Sequence, residues 1–157
     1  MVKPVAAFLE DFRKSIRAVE RFAALLRRKN VSVWLSPTEM TPDVESRMDY
    51  ADSGDLMLQL RAEHKVRTIQ FTSREDFPFP TIIIDEKYKV DAKAKQSALF
   101  AYFIESSDGQ CVACVYGHTK HRWKTKDAYD KKQGRDCTYY VVPIECVRFC
   151  KPEEIFL

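Results

Sequence analysis

The stretch Asp52-Ser-Gly-Asp55-Leu-Met-Leu-Gln-Leu60-Arg-Ala-Glu63-His-Lys65 decides how this chain is read. Residues 55–60 and 62 to about 70 both have strand character, and a very tight turn around 59–61 would join them, although no Gly or Asn marks it. In a hairpin folded near Gln59, Asp55 comes opposite Glu63. Side chains two apart on a strand share a face, so Glu63 and Lys65 point one way while His64 and Val66 point the other. A continuous strand would hold Asp55 and Glu63 roughly 26 Å apart at about 3.3 Å per residue, too far to share one ligand. The expectation of a common site therefore rests on the hairpin.

Upstream, from Pro4 to about Arg28, the apolar residues Val5, Phe8, Leu9, Phe12, Ile16, Val19, Phe22, Ala23 and Leu26 recur at three- and four-residue steps, which predicts an amphipathic helix. Its polar side carries Arg13, Lys14, Arg17, Arg21, Arg27 and Arg28, and Lys29-Asn30 closes it. Residues 31–35 alternate as a short strand, and 36–54 read as a loop with a helical turn near Thr41. Downstream, 81–84 is a short apolar strand. Residues 98–105 and 110–116 flank Ser107-Asp108-Gly109, a strong hairpin signal. Residues 139–142 and 144–149 add late strands interrupted by Pro143. One helix followed mainly by strands predicts an α+β domain on a mixed β-sheet with an N-terminal amphipathic helix, with 1–157 as a single domain.

Composition agrees with a folded domain. The 157 residues are 45% hydrophobic and 31% charged with only 4 Gly and 7 Pro, which excludes disordered, collagen-like and repetitive classes. The longest apolar runs fall far short of a membrane span, and no signal-peptide core opens the chain, so a soluble cytoplasmic protein is expected. Five cysteines, an odd number in mostly strand-like surroundings, read as reduced and buried. A net charge of +3 permits a nucleic-acid partner without demanding one.

Two carboxylates on one side of a sheet repel unless a cation lies between them, and a pair of hard oxygen ligands suits Mg²⁺ or Mn²⁺. Lys65 on the same face could hold a water or stabilise the extra negative charge of phosphodiester hydrolysis. At these residues the chain resembles the PD-(D/E)XK nuclease superfamily, the restriction-endonuclease-like fold. The pattern reads Asp55-x7-Glu63-x-Lys65 behind a helix, with Gly54-Asp55-Leu56 at the strand start and Trp123 in a later basic stretch, as in small phage-type or bacterial members. The departures are the short hairpin, the missing Pro before Asp55 and His64 in place of a hydrophobe. The resemblance implies a Mg²⁺- or Mn²⁺-dependent DNA nuclease, with Asp55 and Glu63 as metal ligands, Lys65 as catalytic lysine and a helical glutamate. Glu20 flanks the apolar stripe and fits that last role better than Glu10. A homodimer is within the superfamily's habits, RNA stays open as a substrate, and a non-catalytic nucleic-acid-binding or accessory protein is the alternative.

Other residues compete for the same roles. Pro42-Asp43 lacks a strand after it, Asp52 could serve as an accessory ligand, and Asp85-Glu-Lys87 is a second acid-x-Lys match without an acid-bearing strand immediately before it. Cys111-x2-Cys114-x3-His118-x2-His121 has zinc-ligand types, but strand alternation puts the two cysteines on opposite faces. Residues 118–136 are basic and aromatic. Lys120, Arg122, Lys124, Lys126 and Arg135 could track phosphates, and Trp123 and Tyr129 could stack on bases; a solvated loop or helix paired to Asp127 and Asp130 is the plainer reading.

Overall fold

A computed structural model describes residues 5–36 and 55–156. Pro42-Asp43, the turn near Thr41, Asp52 and Gly54 lie outside the described residues. The chain divides into two compact units, with the boundary between Gln59 and Leu60.

In the first unit, α1 (Val5–Arg28) follows its predicted period: Phe12, Ile16 and Val19 are half-buried and Ala23 is fully buried, while Arg13, Lys14, Arg17 and Arg21 face solvent. The helix ends in a Schellman arrangement. The Asn30 N–H donates to Arg27 O (3.0 Å) and the Val31 N–H to Leu26 O (3.1 Å). Asn30 adopts φ 59°, a left-handed conformation that Asn tolerates better than most residues. After it, β1 (Val33–Leu35) pairs antiparallel with β2 (Leu56–Leu58), setting Trp34 opposite Met57.

The second unit holds two sheets. One has the order β3-β5-β6-β9, from β3 (Arg61–Val66), β5 (Phe100–Glu105), β6 (Val112–Tyr116) and β9 (Arg148–Cys150). The other has the order β4-β8-β7, from β4 (Thr81–Glu86), β7 (Lys124–Asp130) and β8 (Arg135–Pro143). Only β3 and β5 run parallel, with Glu63 beside Tyr102; the other pairs are antiparallel. Parallel neighbours need a crossover, and here β4 and α2 (Lys87–Gln96) supply it. The core is one cluster containing Tyr102, Ile104 and Val115 from the first sheet, Ile82, Ile84 and Val142 from the second, and Val90 from α2. Phe71 meets Phe77 and Phe149 edge-on at ring-centroid distances of 5.3 and 5.7 Å.

The fold is α+β, as expected, and the strands among the described residues are shared among three sheets. The hairpin expected at Ser107-Asp108-Gly109 forms: the Gly109 N–H donates to Ser106 O (2.9 Å), and φ of 72° explains glycine at that position. The hairpin expected near Gln59 does not form. β2 takes β1 as its partner and β3 takes β5, so no ladder sets Asp55 opposite Glu63. The absence of a turn residue at 59–61 is the physical reason. The basic stretch 118–136 is not a loop or helix throughout. A 3-10 turn, Gly117–Arg122, leads into the antiparallel pair β7 and β8. Among the described residues no helix is long and apolar enough to cross a membrane.

Candidate active site

Alternation along β3 places Glu63 and Lys65 on the same half-buried face and leaves Ala62, His64 and Val66 exposed. The crossover brings two further charged residues to that face. β4 is apolar through Ile84 and ends in Asp85 and Glu86, so Asp85 emerges where the strand leaves the core. About two helical turns later, α2 extends Lys93 back to the same point.

The Lys65 Nζ lies 3.2 Å from Glu63 Oε1 and 3.4 Å from Asp85 Oδ2. The Lys93 Nζ is ion-paired to Glu63, lies 3.4 Å from Asp85 Oδ2 and donates to the Tyr102 hydroxyl at 3.1 Å. It also sits 4.7 Å from the centre of the Tyr102 ring, within cation–π range. The Asp85 side chain is only 10% exposed, and Lys65, Lys93 and Glu63 are 26–34% exposed. Burial pulls the Lys93 ammonium below the usual lysine range. Burial first, and then the Asp85 charge, push the Tyr102 phenol above its ordinary value, so it stays protonated and its oxygen accepts from Lys93.

Two carboxylates and two ammoniums thus compensate one another in a partly desolvated pocket, and the more exposed Lys89 ammonium, paired with Glu86 at 3.0 Å, also reaches Asp85 Oδ1 at 3.8 Å. Holding four charges there is a poor route to stability, because apolar residues of similar volume would avoid the desolvation cost. Partly buried charge clusters of this kind recur at functional sites.

The other expected residues are placed as follows. Asp55 is exposed at the start of β2, where its carbonyl accepts from the Ser36 N–H at 3.1 Å, and Glu20 is exposed on α1. Both belong to the first unit, while Glu63, Lys65, Asp85 and Lys93 belong to the second. Asp85, which sequence reasoning held only as a rival, joins Glu63 and Lys65; its companion Lys87 instead pairs with Asp91 at 2.7 Å. Lys93 was missed because α2 was not foreseen. Of its ten residues only Val90 is buried, too little for a legible apolar stripe.

Trp123 is a core residue and not a base-stacking surface. It is 8% exposed, packs edge-on against Phe100 and Tyr140, and donates Nε1–H to Thr119 Oγ1 at 2.9 Å. Lys120 is committed to Asp91 (2.8 Å) and Arg135 to the buried Glu86 (2.6 Å). Lys124 and Lys126 are exposed along β7, and Arg122 is exposed at the end of the 3-10 turn. The zinc-type ligands do not converge. Cys111 lies in the core, Cys114 is buried beside Cys150 with the sulfurs 3.7 Å apart, and His118 and His121 are exposed. No group of three or more His, Cys, Asp or Glu gathers among the described residues.

No family model and no curated protein matches the chain. Among solved structures it is similar to a nuclease from a fusselovirus, at 15% identity over 94% of this chain and 89% of that chain, with a TM-score of 0.32.

Proposed function

We propose that the protein is a metal-dependent nuclease that hydrolyses DNA phosphodiester bonds at the Glu63–Lys65–Asp85–Lys93 cluster. The observation that carries the reading is the meeting of two carboxylates and two ammoniums from β3, β4 and α2 on one half-buried face. The donor set fits Mg²⁺ or Mn²⁺. These hard cations commonly take one or two carboxylates and complete their shell with water and phosphate, so no third protein ligand is required. When bound, the ion would polarise the phosphodiester and acidify water.

Glu63 and Asp85 are the residues that would hold that cation. Lys65 is the ammonium positioned to stabilise the added negative charge of the transition state or to orient the attacking water. Lys93 neutralises the two carboxylates beside it, and Tyr102 fixes its position through the 3.1 Å hydrogen bond and the ring face. Asp85 takes the place that the sequence pattern assigned to Asp55, and the proposal stands without Asp55 or Glu20.

Nicking of supercoiled plasmid tests it. The wild type is expected to nick in Mg²⁺ or Mn²⁺ and not in EDTA. Glu63→Gln and Asp85→Asn should abolish nicking, and Lys65→Ala should lower it by about 10²–10³-fold, the usual cost of losing a charge-stabilising group. Asp55→Ala should nick normally. Undiminished nicking by the Glu63→Gln/Asp85→Asn double variant would sink the assignment. DNA retention by the wild type with no cleavage in either metal would favour the accessory-protein alternative.

A further inference from the structure

Away from the charged cluster, the second unit contains an open groove of about 640 Å³, well within the size range of ligand sites. It is walled by the segment after β3, the 3-10 turn after β6, and residues 145–149. Three guanidiniums line it: Arg74, Arg122 and Arg148. Glu75 and Glu145 line it too, so the excess is one positive charge and diffuse attraction alone would be weak. Directed N–H donors must then supply the selectivity.

The walls are held in place. Asp76 accepts from the backbone N–H groups of Thr72 and Ser73 at 2.8–3.0 Å, which fixes the loop carrying Arg74. Arg74 spends one of its five N–H donors on Val147 O at 3.2 Å. The Arg122 guanidinium makes no hydrogen bond or ion pair with any described residue although it lines the groove. Beside it, the rings of Tyr116 and His118 stack with centroids 6.0 Å apart and planes 20° apart, a flat aromatic step at the groove wall.

A fixed loop presenting guanidinium donors, a second arginine with its fork unspent, and an adjoining aromatic plane match a phosphate with a base attached. We infer that this groove is a second contact for a nucleic-acid strand, with Arg74 and Arg122 on a backbone phosphate and the Tyr116–His118 step under a base. The phosphate site stands on the groove alone; its assignment to a strand rests on the nuclease reading.

The test is anisotropy of a fluorescein-labelled 12-nucleotide oligothymidylate with the full chain in EDTA, where nothing is cut, over a range of salt. Arg122→Ala and Arg74→Ala are each expected to weaken binding about tenfold, the loss of a charge-assisted hydrogen bond. Each should also lower the log–log salt slope by about one. A titration of the wild type needs no variant to fold: the oligonucleotide and inorganic phosphate should both shift the Nε–H resonances of Arg74 and Arg122. Wild-type affinity and slope in both variants would overturn the inference. So would shifts with inorganic phosphate but none with the oligonucleotide, which would leave a pocket for the free ion. Loss of nicking with groove binding intact would sink the charged cluster alone, and normal nicking with no groove binding would sink this inference alone.

Discussion

Replacing Trp123 by Ala separates a core role from a base-stacking role. A tryptophan buries about 150–250 Å² of surface, which at about 25 cal/mol per Å² corresponds to about 4–6 kcal/mol. An extended-chain reference makes that an upper bound, so about 3–5 kcal/mol is the expected loss, in line with large aromatic truncations in other cores. The environment supports the upper half of the range. Trp123 is 8% exposed, meets Phe100 and Tyr140 at ring-centroid distances of 6.2 and 5.8 Å, and loses its hydrogen bond to Thr119. With a urea slope of about 2 kcal/mol per M, the unfolding midpoint should fall by about 2 M. Far-UV circular dichroism is the suitable probe, since the substitution removes a fluorophore. Trp123→Phe should recover most of the loss and should bind an oligonucleotide like the wild type. A Trp123→Ala protein within about 1 kcal/mol of wild-type stability that had lost oligonucleotide binding would refute the reasoning, because a stacking surface costs affinity and not folding.

Three further outcomes are expected. A Cβ at Gly117 would lie 2.4–2.7 Å from three ring atoms of buried Phe100, so Gly117→Ala should destabilise the protein by about 1–3 kcal/mol in the same urea assay. The Gln133 hydrogen bond first, with help from Lys89 and Arg135, holds the Glu86 carboxyl down at about 2. Its stabilising contribution is therefore full above the unfolded value near 4.5 and is lost as pH falls from there toward about 2. Glu86→Gln should flatten the fall of the urea midpoint across that window, and an acid profile identical to the wild type would contradict the ion pair. Burial pushes the Cys114 thiol up to about 12, so alkylation at neutral pH should reach half-buried Cys146 well before Cys114. Mass spectrometry after timed iodoacetamide treatment reads the order, and early labelling of Cys114 would contradict its burial.

Sequence alone determined the elements whose signals are local. The three- and four-residue period of α1, the Ser107-Asp108-Gly109 turn, and the alternation that keeps Glu63 and Lys65 on one face and His64 on the other are all set by near neighbours, and all hold. Tertiary structure decided the partners. Nothing between 59 and 61 favours a turn, and β2 and β3 went to different sheets, taking Asp55 from the ladder position opposite Glu63. Asp85 was visible as an acid ending an apolar strand. Its proximity to Lys65 follows from a crossover of β4 and α2 that no local pattern announces, and Lys93 rides on a helix with one buried residue. Trp123 looked like a nucleic-acid contact because its neighbours in sequence are basic. It packs on Phe100 and Tyr140, respectively 23 residues earlier and 17 later in the chain, and contacts of that kind are settled only when the core closes. Which side chains share a face is thus a short-range property of the backbone, whereas which faces meet depends on burying the whole apolar surface at once.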